Sequence, residues 1–411
     1  MNTLEESPKA TGLARMAELG LDVPTFTVIK WQDLCDIAGG SNPINTLSAR
    51  IDSALPPLRP SENYPVSIRS ASLREGGEKS SATGHFKSFN GITNSVIAAR
   101  AALEIWLDHQ EITGGDPRCS VIIQETVCAA ISGLLRIDGG NDFYAEAFPG
   151  SCRNITAGNV NPFVLNFVGK RWSVNLPQIG SREIFFADWR LFKEDGRYLP
   201  PGSSLIPTTW FPVSRVRLYH NTRDGELVVY GEPRATHREI LEFIGERLTV
   251  LGAQISSAHT AVGLELEWAF DPNGRLRILQ LKKISRTTKG HNKDGPVQIL
   301  QPTASAVSSK EKCLLQGLAG SPGKLRGVIF HDDAPIGAGD VLFLYEASTA
   351  NLERILSSSA IVSAKGGRLS HVASLCRELG KPCVTGIIHE FITGDEVEVD
   401  GTAGTVRILR R

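Results

Sequence analysis

With 411 residues, the chain has room for two or three domains, each burying a sizeable core. Its 44 basic residues balance 44 acidic ones, so net charge supplies no attraction to nucleic acid or to an anionic membrane. The opening MNTLEESPKATG lacks a basic stretch with an apolar core, no run reaches the ~20 apolar residues of a membrane span, and the seven cysteines form no CxxC pair; a soluble cytoplasmic protein with reduced thiols is expected.

Lys9 precedes a helical run, Leu13, Met16, Ala17 and Leu19, and the stretch Val23 to Val28 reads as an entering strand. A lysine there is a plain surface charge, or a point cation on a flexible stem suited to a polyphosphate. Val66 to Ser72 alternates as a short strand carrying Arg69 and Ser70, followed by Glu75 and the small residues around Gly84. An arginine leaving a strand can fork two phosphate oxygens, although it also fits a surface salt bridge. The polar stretch Asp108 to Arg118 suggests a break between two lobes, near residues 108–120. Beyond it, the apolar run through Gln124, Glu125 and Val127 leads into exposed main chain, the kind of hinge that reads a base through backbone donors and acceptors.

The segment Glu146 to Gly158, EAFPGSCRNITAG, comes next, with Arg153 as its charged centre. From about Gln178 to Pro233 the chain is aromatic-rich, which suits core strands or a small acceptor pocket. Ile240, Phe243, Ile244, Leu248 and Leu251 fall at helical spacing and predict a packing helix. Two alternating runs, Glu265 to Ala269 and Leu276 to Lys282, flank Asp271-Pro-Asn-Gly274 and predict a hairpin. Glu267 and Gln280 then share a side as hard oxygen ligands for a magnesium ion, unless the hairpin is merely an exposed acidic one. Thr287 to Lys312 is polar and rich in Gly, Pro and Ser, and reads as a linker. A flexible coil of that length spans roughly 25 to 30 Å.

Residues 363–386, SAKGGRLSHVASLCRELGKPCVTG, follow that stretch. Gly366 and Gly367 permit a close backbone approach, and Val372, Leu375, Cys376 and Leu379 form an apolar helical stripe. His371 therefore begins a helix, where unpaired N–H groups and the positive dipole end favour an anion. By itself such a histidine also suits a capping or packing role.

The string GGxxSHxAxxxRELGxPxVxG closely resembles the phosphohistidine segment of the phosphoenolpyruvate-utilising enzymes, the family of pyruvate phosphate dikinase, phosphoenolpyruvate synthase and rifampicin phosphotransferase. The resemblance implies that His371 is transiently phosphorylated and catalytic together with Arg69 and Lys9. PKATGLARMAELGLDVPTFTV is similar to the opening of the family's nucleotide domain, where a lysine contacts ATP. The pattern RSSAxxED…SxAG is matched at Arg69, Ser70, Glu75 and Gly84, with Gly76 in place of the aspartate. VVQxMV implies adenine near Gln124, Glu125 and Val127, and DIEW with LQxRP implies Mg²⁺ at Glu267 and Gln280 and phosphate at Lys282, a lysine where relatives carry arginine. Arg153 stands where the family's glycine loop has its second glutamate.

The fold implied is α/β: an ATP-grasp-like nucleotide domain over residues 1–286, a flexible linker over 287–312, and a swivelling β/β/α phosphohistidine domain over 313–411. The length leaves no room for the pyruvate barrel or antibiotic-binding domain of the longer relatives. The expected activity is an ATP-dependent phosphotransfer through His371 to an unknown small-molecule acceptor, releasing AMP and phosphate, with ATP and Mg²⁺ as cofactors. The alternatives are one subunit of a split, phenylphosphate-synthase-like phosphotransferase whose acceptor site lies on a partner, and an inactive nucleotide-binding regulatory module.

Overall fold

Ser7 caps the first helix, its side chain accepting from the Ala10 amide, and Pro8 supplies a first-turn residue with φ already set. In the computed structural model this helix is α1 (Pro8–Glu18), and it is followed by β1 (Phe26–Ile29), α2 (Trp31–Ala38), α3 (Pro43–Ala54), β2 (Val66–Ser72), β3 (Ser88–Ile92), α4 (Ser95–Thr113) and β4 (Cys119–Glu125). The structure describes residues 7–54, 59–72, 87–138, 142–168, 171–175, 183–191, 213–220, 227–233, 238–258, 263–284, 313–331, 337, 339–347 and 352–411. The stretch expected as a linker, 287–312, lies outside the described residues, as do Glu75, Gly84 and much of 178–233.

The first lobe is a four-stranded sheet in the order β1-β4-β2-β3. Asp108 to Thr113 forms the last turns of α4, which ends at Gly114 in the left-handed conformation, and β4 then returns to the middle of the same sheet. The lobes therefore part after β4. The polar letters there conceal a buried His109, which bonds Ser72 Oγ at 2.8 Å and the Asp116 carbonyl at 3.0 Å.

The second lobe contains β5 (Ile131–Ile137), β6 (Phe143–Pro149), α5 (Arg153–Thr156), β7 (Phe163–Val168), β8 (Arg171–Asn175), β9 (Glu183–Ala187), β10 (Val213–His220), β11 (Leu227–Pro233), α6 (Arg238–Ala258), β12 (Gly263–Phe270) and β13 (Leu276–Ile284). Its main sheet has six strands in the order β13-β12-β5-β6-β7-β8, and a smaller one runs β10-β11-β9. The predicted hairpin is β12–β13, closed by Gly274 at φ 76°. Side chains alternate across the sheet, so Leu264, Leu266, Leu135, Ala145 and Leu165 share one face and bury against α6, the helix expected from its periodicity.

The third unit runs β14 (Leu314–Gln316), β15 (Leu318–Ser321), β16 (Lys324–Phe330), β17 (Val341–Leu344), α7 (Leu352–Ser357), β18 (Ala360–Ser363), α8 (His371–Leu379), β19 (Cys383–Thr385), β20 (Glu396–Asp400) and β21 (Thr405–Arg410). Eight strands in the order β14-β21-β20-β16-β17-β18-β19-β15 carry α7 and α8. The architecture is of the α/β class expected, two sheet-bearing lobes followed by a β/β/α unit. Among the described residues no helix is long and apolar enough to cross a membrane.

Helix α8 opens at Ser370, whose hydroxyl accepts from the Ala373 amide, and closes at Gly380 with φ 65°. Ser370→Ala removes that cap from a fully buried position and should lower stability by about 1 kcal/mol. A shift of the thermal midpoint checks it, and an unchanged midpoint refutes the capping role.

Candidate active site

The second face of the six-stranded sheet is polar where the first is greasy. Register aligns Gln280 with Glu267, Glu267 with Leu134, and Leu134 with Glu146, so these four side chains form one row across four strands. One step along, Lys282, Glu265, Arg136 and Tyr144 form a second row on the same face. The strand β13 bulges opposite the step from Glu267 to Trp268, and this irregularity brings Gln280 rather than Leu279 opposite Glu267.

Arg69 reaches the first row from β2 in the other lobe. Its Nη1 donates to Glu267 Oε2 at 3.3 Å and to Gln280 Oε1 at 3.2 Å, so both oxygens converge on one point. Its Nε is buried without a hydrogen-bond partner. Lys9, in the first turn of α1, donates to the Ser70 carbonyl at 3.3 Å. That helix packs on β13, where Gly12 allows the backbone of Leu281 to come close, and this brings Lys9 to the same edge as Lys282. Ser70 itself is fully buried in β2.

His371 is the first residue of α8 and lies within electrostatic reach of this cationic edge. Burial is the main cause that lowers its pKa to about 4; the nearby Glu267 carboxylate opposes the shift, while the Lys282 and Lys9 ammonium groups add to it. The ring is thus an uncharged imidazole at neutral pH, lying within electrostatic reach of three residues of the other lobes. The charges of Lys9, Lys282 and Glu267 act on His371 because the third unit is docked on the other lobes. The Ala347 amide donates to the Gly158 carbonyl at 3.2 Å, the Gly366 amide to the Val160 carbonyl at 3.1 Å, and Asn161 Nδ2 to the Ala364 carbonyl at 3.3 Å. At Gly366, φ is 110°, and a Cβ there would lie 2.5 Å from Ala347 Cβ, which explains the glycine.

The expected adenine hinge is otherwise engaged in part. Gln124 is buried in β4 between β1 and β2, and its side-chain amide donates to the Leu279 carbonyl at 3.4 Å. The main-chain amides of Glu125 and Thr126 donate to the Thr25 and Pro65 carbonyls at 2.8 and 2.9 Å. The Glu125 carboxylate accepts from Arg277 Nη2 at 3.0 Å. Val127, half-buried, packs against the main core. The guanidinium of Arg153 lies over the Phe186 ring at 4.5 Å.

Three residues of the site escaped notice as such in the sequence: Glu146, Tyr144 and Asn161. Glu146 is completely buried, its carboxylate accepting from the Tyr144 hydroxyl at 2.7 Å and from the Leu369 amide at 3.2 and 3.3 Å. Burial lifts its pKa to about 7 against the pull of those hydrogen bonds. One signal was present: a lone acid inside the otherwise apolar strand FYAEAF. Among the described residues no group of three His, Cys, Asp or Glu side chains gathers as for a metal.

Residues 336–404 match the family described as PEP-utilising enzyme, mobile domain. The phosphoenolpyruvate synthase of Pyrococcus furiosus is 34% identical over 155 residues, which cover 34% of this chain and 17% of that protein. The probable phosphoenolpyruvate synthase of Archaeoglobus fulgidus is 29% identical over 194 residues, covering 45% and 25%, and the pyruvate, phosphate dikinase of Rhizobium meliloti is 28% identical over 130, covering 26% and 14%. The matched stretch thus spans a quarter or less of these relatives' length. Among solved structures, a dinucleotide-forming acetyl-coenzyme A synthetase of Ca. Korarchaeum cryptofilum covers 68% of this chain and 94% of its own at 11% identity and a TM-score of 0.33, a likeness too slight to carry weight. The mobile-domain match encloses His371 and its docked loop, and the proteins that the chain is similar to include phosphoenolpyruvate synthases and a pyruvate, phosphate dikinase.

Proposed function

We propose that the chain moves a phosphoryl group from ATP to His371 and from there to a small-molecule acceptor, releasing AMP and phosphate. The observation that carries this reading is the neutral imidazole at the start of α8, within electrostatic reach of Lys9, Lys282 and Glu267. Lys9, Arg69 and Lys282 hold the triphosphate, their charges opposing the repulsion that keeps a nucleophile away from phosphate oxygens. Glu267 and Gln280 suit Mg²⁺, because two hard oxygens already converge on a single Arg69 nitrogen and this ion takes few protein ligands beside phosphates. When bound, the ion would neutralise charge on the phosphate oxygens.

A ring nitrogen forms a bond to the β-phosphorus as its bond to the oxygen of AMP breaks. Water then bonds to the γ-phosphorus as the bond from that phosphorus to the bridging oxygen breaks, giving up a proton, so inorganic phosphate leaves and the β-phosphoryl group stays on the ring. The N–P bond then breaks in favour of the acceptor's oxygen, which gives up its proton, so one hard transfer becomes two easier ones.

ATP labelled separately at the β and γ positions tests this. Acid-labile label on the protein should come from the β position; label retained only from γ would mean an ordinary kinase-type transfer and would overturn the proposal. AMP release that depends on an added hydroxyl or carboxyl compound then identifies the acceptor.

A further inference from the structure

We propose that Glu146 is a positioning residue, whose carboxylate latches the main chain of the phosphohistidine loop and thereby sets where His371 stands at the nucleotide edge of the sheet. This rests on the phosphotransfer reading above but concerns docking, not nucleotide contact.

Glu146 occupies the same row as Gln280 and Glu267, two strands beyond Glu267, or about 10 Å at the usual strand spacing. The proposed nucleotide residues stand on the β13 and β12 side of that face, and the third unit's contacts lie on the β6 side. Leu369, two residues before His371, hands its amide hydrogen to Glu146, and Gly367 presses on the same carboxylate: a Cβ at 367 would lie 2.1 Å from Oε2. Arg368, between them, lies over the Tyr144 ring at 5.2 Å, and Tyr144 donates to Glu146 Oε1. Arg377 of α8 ties the loop together from behind, donating to the Arg368 carbonyl at 2.8 Å and to the Gly320 carbonyl at 2.6 Å. The loop is therefore gripped at one end and presents its imidazole at the other.

A fully buried carboxyl is costly to keep unless the partners it holds matter. Burial has raised Glu146 to about 7, with Tyr144 and the Leu369 and Arg368 amides pulling the other way. Each of those three partners either belongs to the phosphohistidine loop or supports it. In the sequence this glutamate opens the segment that relatives use as an acidic glycine loop. Here Gly158 at the end of that segment, with Val160 and Asn161 just after it, also bonds the third unit, so this part of the chain serves as a cradle for the docked loop.

The test uses the full chain and two readouts: the rate of β-label uptake as ATP is varied, and hydrogen exchange of the peptide containing Leu369. Glu146→Ala should lower the maximal uptake rate roughly 10²-fold, since a displacement of about 1 Å suffices for that, with the half-saturating ATP concentration changed by less than about twofold. Exchange at Leu369 should speed up while β5 and β7 stay protected. Glu146→Gln, whose amide oxygen still accepts from Leu369, should recover to within about threefold of wild type. A rise in half-saturating ATP at an unchanged maximal rate would instead mark Glu146 as a nucleotide ligand and overturn the proposal. Loss of protection in β5 and β7 would do the same by making it a fold support. Should wild type take no label at all, the transfer reading fails alone. The latch then stands or falls on whether Glu146→Ala loosens Leu369.

Discussion

Exposed to Mg²⁺ and ATP, His371→Ala should acquire no acid-labile phosphoryl group, a loss of at least about 10³-fold relative to wild type. The expectation follows from position as much as from residue type. A ring at the first position of a nine-residue helix stands beside amides that have no intrahelical partner, and those amides and the helix dipole favour the group it would carry. Label surviving in His371→Ala at more than a few per cent would place the nucleophile elsewhere.

The pH dependence sharpens that result. Burial, reinforced by Lys282 and Lys9 and resisted by Glu267, holds the imidazole near a pKa of about 4 rather than 6.5. A neutral nucleophile is then present from alkaline pH down to about 5, so ring titration should leave the uptake rate level over that range and halve it only near 4. A midpoint at 6.5 would show that the docked environment does not act on the ring. The sign for docking is set by linkage. A docked ring with a depressed pKa binds fewer protons than a free one. Stability from this group is therefore complete above about 6.5 and falls as pH drops from there toward 4.

Trp268→Ala should cost about 3–5 kcal/mol of stability, the range for removing a large aromatic side chain from a packed interior. Trp268 is fully buried, its ring edge-on to Phe270 at 5.6 Å, and it lies over Gly133 in the neighbouring strand. A Cβ at Gly133 would fall 2.3 Å from the indole, so the strand has given up a side chain to admit the ring. Nothing on β5 at that point can swell to refill the void. Trp268 also follows Glu267 at the irregularity that sets Gln280 opposite it, so loosening here should disturb the proposed metal ligands. Chemical denaturation measures the effect. A loss below about 1.5 kcal/mol would mean that the neighbours collapse into the space and that the packing account is wrong.

Local chemistry determined a good part of this protein. Asp271 to Gly274 makes a hairpin turn, Ser370 and Gly380 bound α8 and put His371 at its first residue, and the periodic run from Ile240 to Leu251 lies within α6. The bonds among near neighbours that define these elements need only a few residues of chain to be ordered. Other features depend on strands that meet across long separations. Asp108 to Thr113 looks like a break because its letters are polar, yet it is helix, since His109 finds buried partners on β2 and in the turn before β4. Gln124, on an apparently open hinge strand, is enclosed because β1 and β2 pair on both sides of it. The row that joins Gln280, Glu267 and Glu146 requires three strand registers to agree, and the bond from Glu146 to Leu369 closes a loop of 223 residues. A one-residue slip in any of those registers would turn a row to the other face. The letters therefore determined which groups are available and on which elements they lie. Only the tertiary structure decided which of them face one another, because side-chain direction across a sheet is a property of the paired strands and not of any one of them.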